Sequence, residues 1–409
     1  MARKSSIIIG KAVRHASRLR GGGSALPGLV VEKIDKNFLR DHIANLPYGV
    51  VVISGTNGKT TTTKIVVELL EKQGLKVFTN RTGSNFVRGV IAAILESVTA
   101  RGKLDADIAV LELDEAHATK FVDIIQPDYC LLLNVMRDQM CRFGNLDNVA
   151  DLLTKIAKKT TKAVVTNRED SRLAKIDAEP KTYYFGLSDK MRPLFFKGAK
   201  VSRRKAANVI LDDMSEQAAV FKIDRKEHSA SLELKGVYNA FNAAAALSLV
   251  KVILPGTKNQ KLVNGLTDIK SAFGRGESFN INDQSVELFL VKNPDGFQLA
   301  LNSFGSDKFD TMIAINDSPA DGQCIAWLGE VNFSRLKTIQ VVSGTRASDV
   351  TEYLKRNKKT AQTTEPNLLL ATEGLISLSD RPKRIFANYS AMLEIRRILN
   401  KHTDVDQAV

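Results

Sequence analysis

Short apolar runs of strand length alternate with longer stretches whose apolar positions recur at helical spacing. The first strand candidates fall at 49–54, 75–79, 108–113, 129–135 and 163–167. Between the first two, residues 59–73 carry Ile65, Val66, Leu69 and Leu70 on one helical face, and Gly74 follows as a stop. Alternation of this kind predicts an α/β fold, a parallel sheet covered by helices. Residues 187–236 break the rhythm: they are basic, with short apolar runs, and read as hairpins or an inserted subdomain. An alanine-rich helix is expected at 239–253. The segment SAFGRGESF (271–279), with Gly274 and Gly276, reads as a hinge. Beyond it a second alternating series offers strands at 285–291, 311–316, 338–343 and 384–387, with helices at 348–356 and 390–400.

A chain of 409 residues is too long for one core. The pattern divides it into a basic N-terminal arm with a Gly-rich loop (1–45), a central domain on a parallel sheet (46–272), and a smaller Rossmann-like C-terminal α/β domain (273–409). The hydrophobic fraction of 44% and charged fraction of 25% suit a soluble protein, and no apolar run approaches the length of a bilayer crossing. The first twenty residues hold six Lys/Arg and no acid, around an apolar patch at Ile7–Ile9 too short for a signal-peptide core. They read as a basic amphipathic helix, lying on the protein's own surface or facing an anionic membrane. The net charge of +14 points to an acidic substrate or partner. Three scattered cysteines (Cys130, Cys141, Cys324) argue against a disulfide framework or a four-thiolate zinc site, and for a reducing cytosol.

The chemistry enters at GTNGKTTTT, residues 55–63, between the first strand and its helix. Triphosphate oxygens need converging backbone N–H donors, the positive end of a helix, and a cation able to follow the transferring phosphoryl group. Gly55 and Gly58 permit the turn, Lys59 brings the charge, and the Thr60 hydroxyl suits Mg²⁺. Gly55, Thr56, Asn57, Gly58, Lys59, Thr60 and Thr61 are thus candidates for binding ATP. The loop is shorter than the common Walker form, whose first glycine would fall at Ile53.

Several blocks make the chain resemble the Mur ligase superfamily: GTNGKTTTT, RTGSNFVRGV (81–90), LELDEA (111–116), LNVMRDQMCRFGNLDN (133–148), YNAFNAAAA (238–246), AFGRGE (272–277), VKNPDGF (291–297) and NDSPADG (316–322). Within it, the chain is similar to a branch of amidating synthetase subunits; Gln139, where many superfamily members place a histidine, fits that branch. The resemblance implies ATP and Mg²⁺ as cofactors. Glu112 joins Thr60 as a metal ligand, with Glu115 and Asp138 as weaker candidates. Asn242 meets the adenine, whereas Asn239 suits helix capping. Arg275 reaches the nucleotide, with Lys292 and Asp295 as lesser members of the site.

The same resemblance implies amidation of the D-glutamate α-carboxyl of the lipid II stem peptide through an acyl-phosphate, with ammonia from a GatD-type glutaminase subunit. Lys59 and Arg275 are the catalytic candidates of the synthetase. Asp317, ahead of Asp321, completes the partner's Cys-His pair; an Asp-Gly turn accounts for Asp321. Residues 167–236 contain no cysteine, so no zinc is expected where many relatives carry a ribbon. The expected place is the bacterial cytoplasm, at or near the inner membrane face. Two other readings stand beside this one. A folylpolyglutamate synthetase-like ligase would share the chemistry. A nucleic-acid-binding P-loop ATPase would suit the charge, but no RRM-type strand or helix-turn-helix is evident and aromatics are only 6%, so no nucleic acid is expected.

Overall fold

The computed structural model describes residues 4–19, 26–80, 86–99, 101–138, 140–195, 204–215, 218–270, 274–319, 321 and 325–402. The chain forms two compact units. The first comprises Met1–Val135, Phe143–Glu233 and Asn239–Ile269; the second comprises Met136–Arg142, Leu234–Tyr238 and Lys270–Val409.

The first unit is built on nine strands: β1 (Val50–Ser54), β2 (Val77–Thr79), β3 (Ile108–Glu112), β4 (Tyr129–Leu132), β5 (Ala163–Asn167), β6 (Lys181–Leu187), β7 (Val209–Met214), β8 (Ala218–Ile223) and β9 (Lys226–Ser231). Their order is β2-β3-β1-β4-β5-β6-β7-β8-β9. Pairing is parallel as far as β7 and antiparallel from β7 through β9. Every residue of β1 and β5 is buried, as a strand covered on both faces requires. Alternate positions Val50, Val52, Cys130 and Leu132 join a core with the helices Val87–Ser97 and Glu115–Ile124. Burial pushes the Cys130 thiol up to about 12, which makes it an inert core group.

Within the stretch 187–236, β7, β8 and β9 continue this sheet. Instead of thiolates, a carboxylate ties the start of the segment. Glu169, with no exposed side-chain surface, accepts from the Leu187 N–H (3.0 Å), Arg168 Nε (3.0 Å), Arg192 Nε (3.2 Å) and Arg204 (3.2 Å). Burial alone would raise the Glu169 pKa. The hydrogen bonds from Leu187 and Arg168, with the charges of Arg168 and Arg204, hold it below its ordinary value.

The second unit has six strands: β10 (Arg275–Ile281), β11 (Gln284–Leu290), β12 (Asp310–Ala314), β13 (Ile339–Ser343), β14 (Ala361–Glu365) and β15 (Lys383–Ala387), in the order β10-β11-β15-β12-β13-β14. Among the described residues β10 and β11 pair antiparallel and the other strands of this sheet pair parallel. Successive β12 side chains serve opposite cores. Met312 and Ala314 pack with helices Leu368–Ser377 and Tyr389–Leu399; Ile313, with Ile315 just beyond, packs with Pro294–Phe304 and Ala347–Arg356. The expected hinge is in part a strand: β10 begins at Arg275, with a bulge between Arg275 and Glu277, while residues 271–273 lie outside the described residues.

Candidate active site

In the first unit the chain leaves β1 for β2 on one side, returns through β3 and crosses β1 to reach β4 on the other. The C-terminal end of β1 therefore lies where the sheet reverses its winding, the usual ligand position in open α/β sheets. Ser54 ends the strand and its hydroxyl donates to the Leu113 carbonyl (2.9 Å). Gly55 has φ +131° and Gly58 φ +87°, the latter opening helix Lys59–Glu71. At Gly58 a Cβ would stand 2.5 Å from Asn242 Oδ1, so the turn needs glycine for space as well as conformation. The amide of Asn242 is thereby placed against the loop itself.

Asn134, just past β4, locks the turn. Its carbonyl accepts from the Thr56 N–H (3.0 Å), its Oδ1 from the Asn57 N–H (2.9 Å), and its Nδ2 donates to the Asn57 carbonyl (2.9 Å). Sequence reasoning missed this residue as a member of the site. Its only signal was a polar position among the apolar residues of the strand expected at 129–135. Asn80 is a second omission: it pairs with both backbone groups of Glu112 (2.8 and 3.0 Å) and fixes the end of β3.

Lys59 is buried and bends back over the loop, donating to the carbonyls of Gly55 and Thr56 with Glu115 at 3.6 Å. The Thr60 hydroxyl donates to Glu112 Oε1 (2.9 Å). A hydroxyl and a carboxylate in contact beside the loop form a donor set suited to a hard cation, and the glycine-lined turn suits phosphate oxygens. Glu115 is the partner of Lys59, buried to 4% exposure. Asp114 caps helix Glu115–Ile124 by accepting from the Ala116 N–H and holds His117 Nδ1 at 3.0 Å. Thr61 is buried in the helix's first turn, whereas Asn239 is buried within helix Val237–Ile253 instead of capping it. Of the block 81–90, residues 81–85 lie outside the described residues, as do Gln139, Gly322 and Cys324.

In the second unit Arg275 starts β10, and its charge opposes the upward push that burial gives the Tyr238 hydroxyl. Lys292 Nζ donates to Asp138 (2.9 Å), and Asp295 accepts from the backbone and guanidinium of Arg137 (2.9 and 3.0 Å). These residues form ion pairs with one another. The loop after β12 holds the two aspartates of NDSPADG in different states. Asp321 accepts from the Ser390 N–H (2.8 Å), from Ser318 Oγ (2.8 Å) and from Ser390 Oγ, and so serves the start of helix Tyr389–Leu399. The Asp317 side chain is 47% exposed, steadied by Thr345 Oγ1 (2.9 Å), with Arg346 at 3.7 Å.

A strand ending in a Gly-x-x-Gly-Lys-Thr turn, with a carboxylate beside the threonine, defines a P-loop nucleotide-binding α/β protein. The family model of the Mur ligase middle domain matches residues 53–250, and that of the MurT ligase C-terminal domain matches residues 290–392. The chain is 28% identical to the lipid II isoglutaminyl synthase (glutamine-hydrolyzing) subunit MurT of Streptococcus pneumoniae, over 96% of each chain. It is 26% identical to the subunit of the same name from Staphylococcus aureus, over 87% of this chain and 88% of that one. A MurF ligase from Thermotoga maritima, solved in complex with ADP, superimposes with a TM-score of 0.68 at 18% identity, covering 92% of this chain and 85% of its own. The chain thus carries a Mur ligase middle domain followed by a MurT-type C-terminal domain, and it is similar to MurT subunits over most of its length.

Proposed function

We propose that the chain is the synthetase subunit of an amidotransferase that converts the D-glutamate α-carboxyl of the lipid II stem peptide to D-isoglutamine. ATP drives the reaction, and a GatD-type glutaminase delivers the ammonia. The observation that carries this reading is the union of a complete phosphate loop with a MurT-type second unit. A carboxylate oxygen attacks the γ-phosphorus of ATP, the bond to the β,γ-bridging oxygen breaks, and ADP leaves with that electron pair. Ammonia then adds to the acyl carbon, phosphate departs, and the amide remains after loss of a proton.

Little covalent chemistry falls to the protein; positioning and charge stabilisation do the rest. We assign the triphosphate to Gly55, Thr56, Asn57, Gly58 and Thr61 of the loop. Lys59 exchanges its carbonyl contacts for phosphate oxygens, and Glu115 keeps its ammonium in place. Thr60 and Glu112 would hold Mg²⁺, which would screen phosphate charge. Asn242 contacts the nucleotide beside Gly58, and Arg275 adds positive charge to the transferring phosphoryl group.

We assign Asp317 to the partner's glutaminase site, where it orients the histidine of a Cys-His pair. Its exposure supports this over Asp321, whose oxygens are engaged within its own unit. The test is Asp317→Asn in a chain co-expressed with a GatD-type glutaminase, with amidated lipid II read by mass spectrometry. Glutamine-dependent amidation should fall at least about a hundredfold, as when a triad acid is removed. Ammonia-dependent amidation should stay within about twofold. Equal survival, or equal loss, of both activities would remove the assignment.

A further inference from the structure

Helix Lys4–Leu19 is oriented in a way its composition does not announce. Its inward side is made of small residues. Ser6 and Ser17 are buried, and Gly10 lies so close to its neighbours that a Cβ would stand 2.7 Å from Leu95 and Val31. Ile7 is the large apolar anchor on that side, at 3% exposure. The orientation is fixed by polar ties: Ser6 Oγ to Asp35 (2.9 Å), Lys11 Nζ to the Val98 carbonyl (2.8 Å), and an ion pair between Arg14 and Glu96.

The outward side is the opposite of what a helix on a globular surface normally shows to water. Ile8 is 67% exposed and Ile9 43%. Ala12 and Ala16 are exposed one and two turns further on, and Lys4 and His15 are exposed with them. The helix holds no acid; of its basic residues Lys11 and Arg14 make the inward ties and Lys4 stands on the outward side, on a chain of net charge +14. Among the described residues no helix is long and apolar enough to cross a membrane, so any lipid contact of this helix is interfacial.

We propose that this face docks on an anionic lipid surface, with Ile8 and Ile9 entering the headgroup–acyl boundary and Lys4 held by acidic headgroups. Charge complementarity and patch size select this occupant. Two isoleucines and two alanines are too little for a standard protein interface of about 800 Å² per partner, whereas shallow insertion plus basic residues is how interfacial helices bind. The expected binding is weak and reversible. It suits an enzyme that must meet a lipid-borne substrate, but it does not depend on that substrate.

The experiment is co-sedimentation of the full chain with phosphatidylglycerol-rich vesicles and with pure phosphatidylcholine vesicles. The chain should sediment with the first and not the second, and added salt should release it. Ile8→Glu/Ile9→Glu should lower partitioning roughly tenfold or more, and Lys4→Glu about fivefold, with unfolding midpoints unchanged. Should the double glutamate variant fold poorly, Ile8→Ser/Ile9→Ser gives the same reading, with a loss of about tenfold. The proposal is overturned if wild type stays in the supernatant, if both vesicle types bind equally, or if the folded variants bind like wild type. A change in self-association with no change in lipid binding would instead assign the face to a second copy of the chain, and would equally end the proposal.

Discussion

Two Ser-Gly-Thr turns, each following a fully buried parallel strand, do different work in this molecule. In the first unit β1 ends in Ser54-Gly55-Thr56, and in the second β13 ends in Ser343-Gly344-Thr345. Both glycines have positive φ, +131° and +93°. The first turn runs on into Asn57-Gly58-Lys59, and the second positive-φ glycine bends the backbone into a cradle at the start of a helix. The second turn runs on into Arg346-Ala347, and its groups go to a neighbouring loop. The Thr345 N–H donates to Asn316 Oδ1 (3.0 Å) and the Thr345 hydroxyl to Asp317. A shared tripeptide therefore does not define a shared function. The residues after it decide whether the turn faces a ligand or braces a carboxylate.

The contrast is broken most severely at the residues that follow each turn. Lys59→Ala removes the buried ammonium from the cradle and should lower ATP-dependent amidation on the order of 10²–10³-fold, the loss typical of one preorganised charge-stabilising donor. Arg346→Ala should leave ammonia-dependent amidation within about twofold, because that guanidinium pairs with Asp317 and Asp349 instead of lining the cradle. Steady-state rates with ammonium chloride as nitrogen source check both. Equal losses would mean that the two turns are functionally equivalent, contrary to the geometry.

Stability separates them next. A Cβ on Gly344 would meet the Ile315 carbonyl oxygen at 2.4 Å, where neither side can yield without moving backbone. Strain from positive φ and overpacking together should make Gly344→Ala cost about 2–3 kcal/mol, seen as earlier amide exchange in β12 and β13. Gly58→Ala meets the end of a side chain, Asn242 Oδ1, which can turn away. Its expected signature is weaker nucleotide binding with a smaller loss of stability. If Gly344→Ala were neutral and Gly58→Ala strongly destabilising, the second turn would not be the structural brace inferred here.

The first turn was legible in the sequence and the second was not, for a physical reason. Phosphate binding demands residues that few other settings require: two glycines, a lysine and a threonine at fixed spacing after an apolar strand. The alternation of strands and helices was legible too, since burial on both faces leaves continuous apolar runs such as 50–54 and 163–167. The strand at 361–365 was missed because its burial is shallow, with Gln362, Thr363 and Thr364 exposed at the sheet edge. Asn134 and Asn80 were missed because an asparagine that braces a turn has no partner nearby in sequence: it reaches 77 residues to Asn57 and 32 to Glu112. The ties on Glu169 were hidden in the same way. Its arginines at 168, 192 and 204 look like an ordinary basic stretch until the fold brings them to one carboxylate.

The smallest expected effect bears on the finest distinction, that between the two aspartates beside the second turn. Asp321 satisfies a backbone donor at the start of helix Tyr389–Leu399, where Asn388 makes no side-chain cap of its own. Asp321→Ala should therefore cost about 1 kcal/mol, the usual worth of a helix cap, with faster amide exchange in the first turn of that helix. Asp321→Asn should cost less, because its amide oxygen still accepts from Ser390. Neither change touches the exposed carboxylate of Asp317, so glutamine-dependent amidation should stay within about twofold once folded protein is equalised. A loss of glutamine-dependent activity in Asp321→Asn with an unaltered exchange pattern would move the partner-facing role from Asp317 to Asp321, and the bracing role of Thr345 would lose its purpose with it.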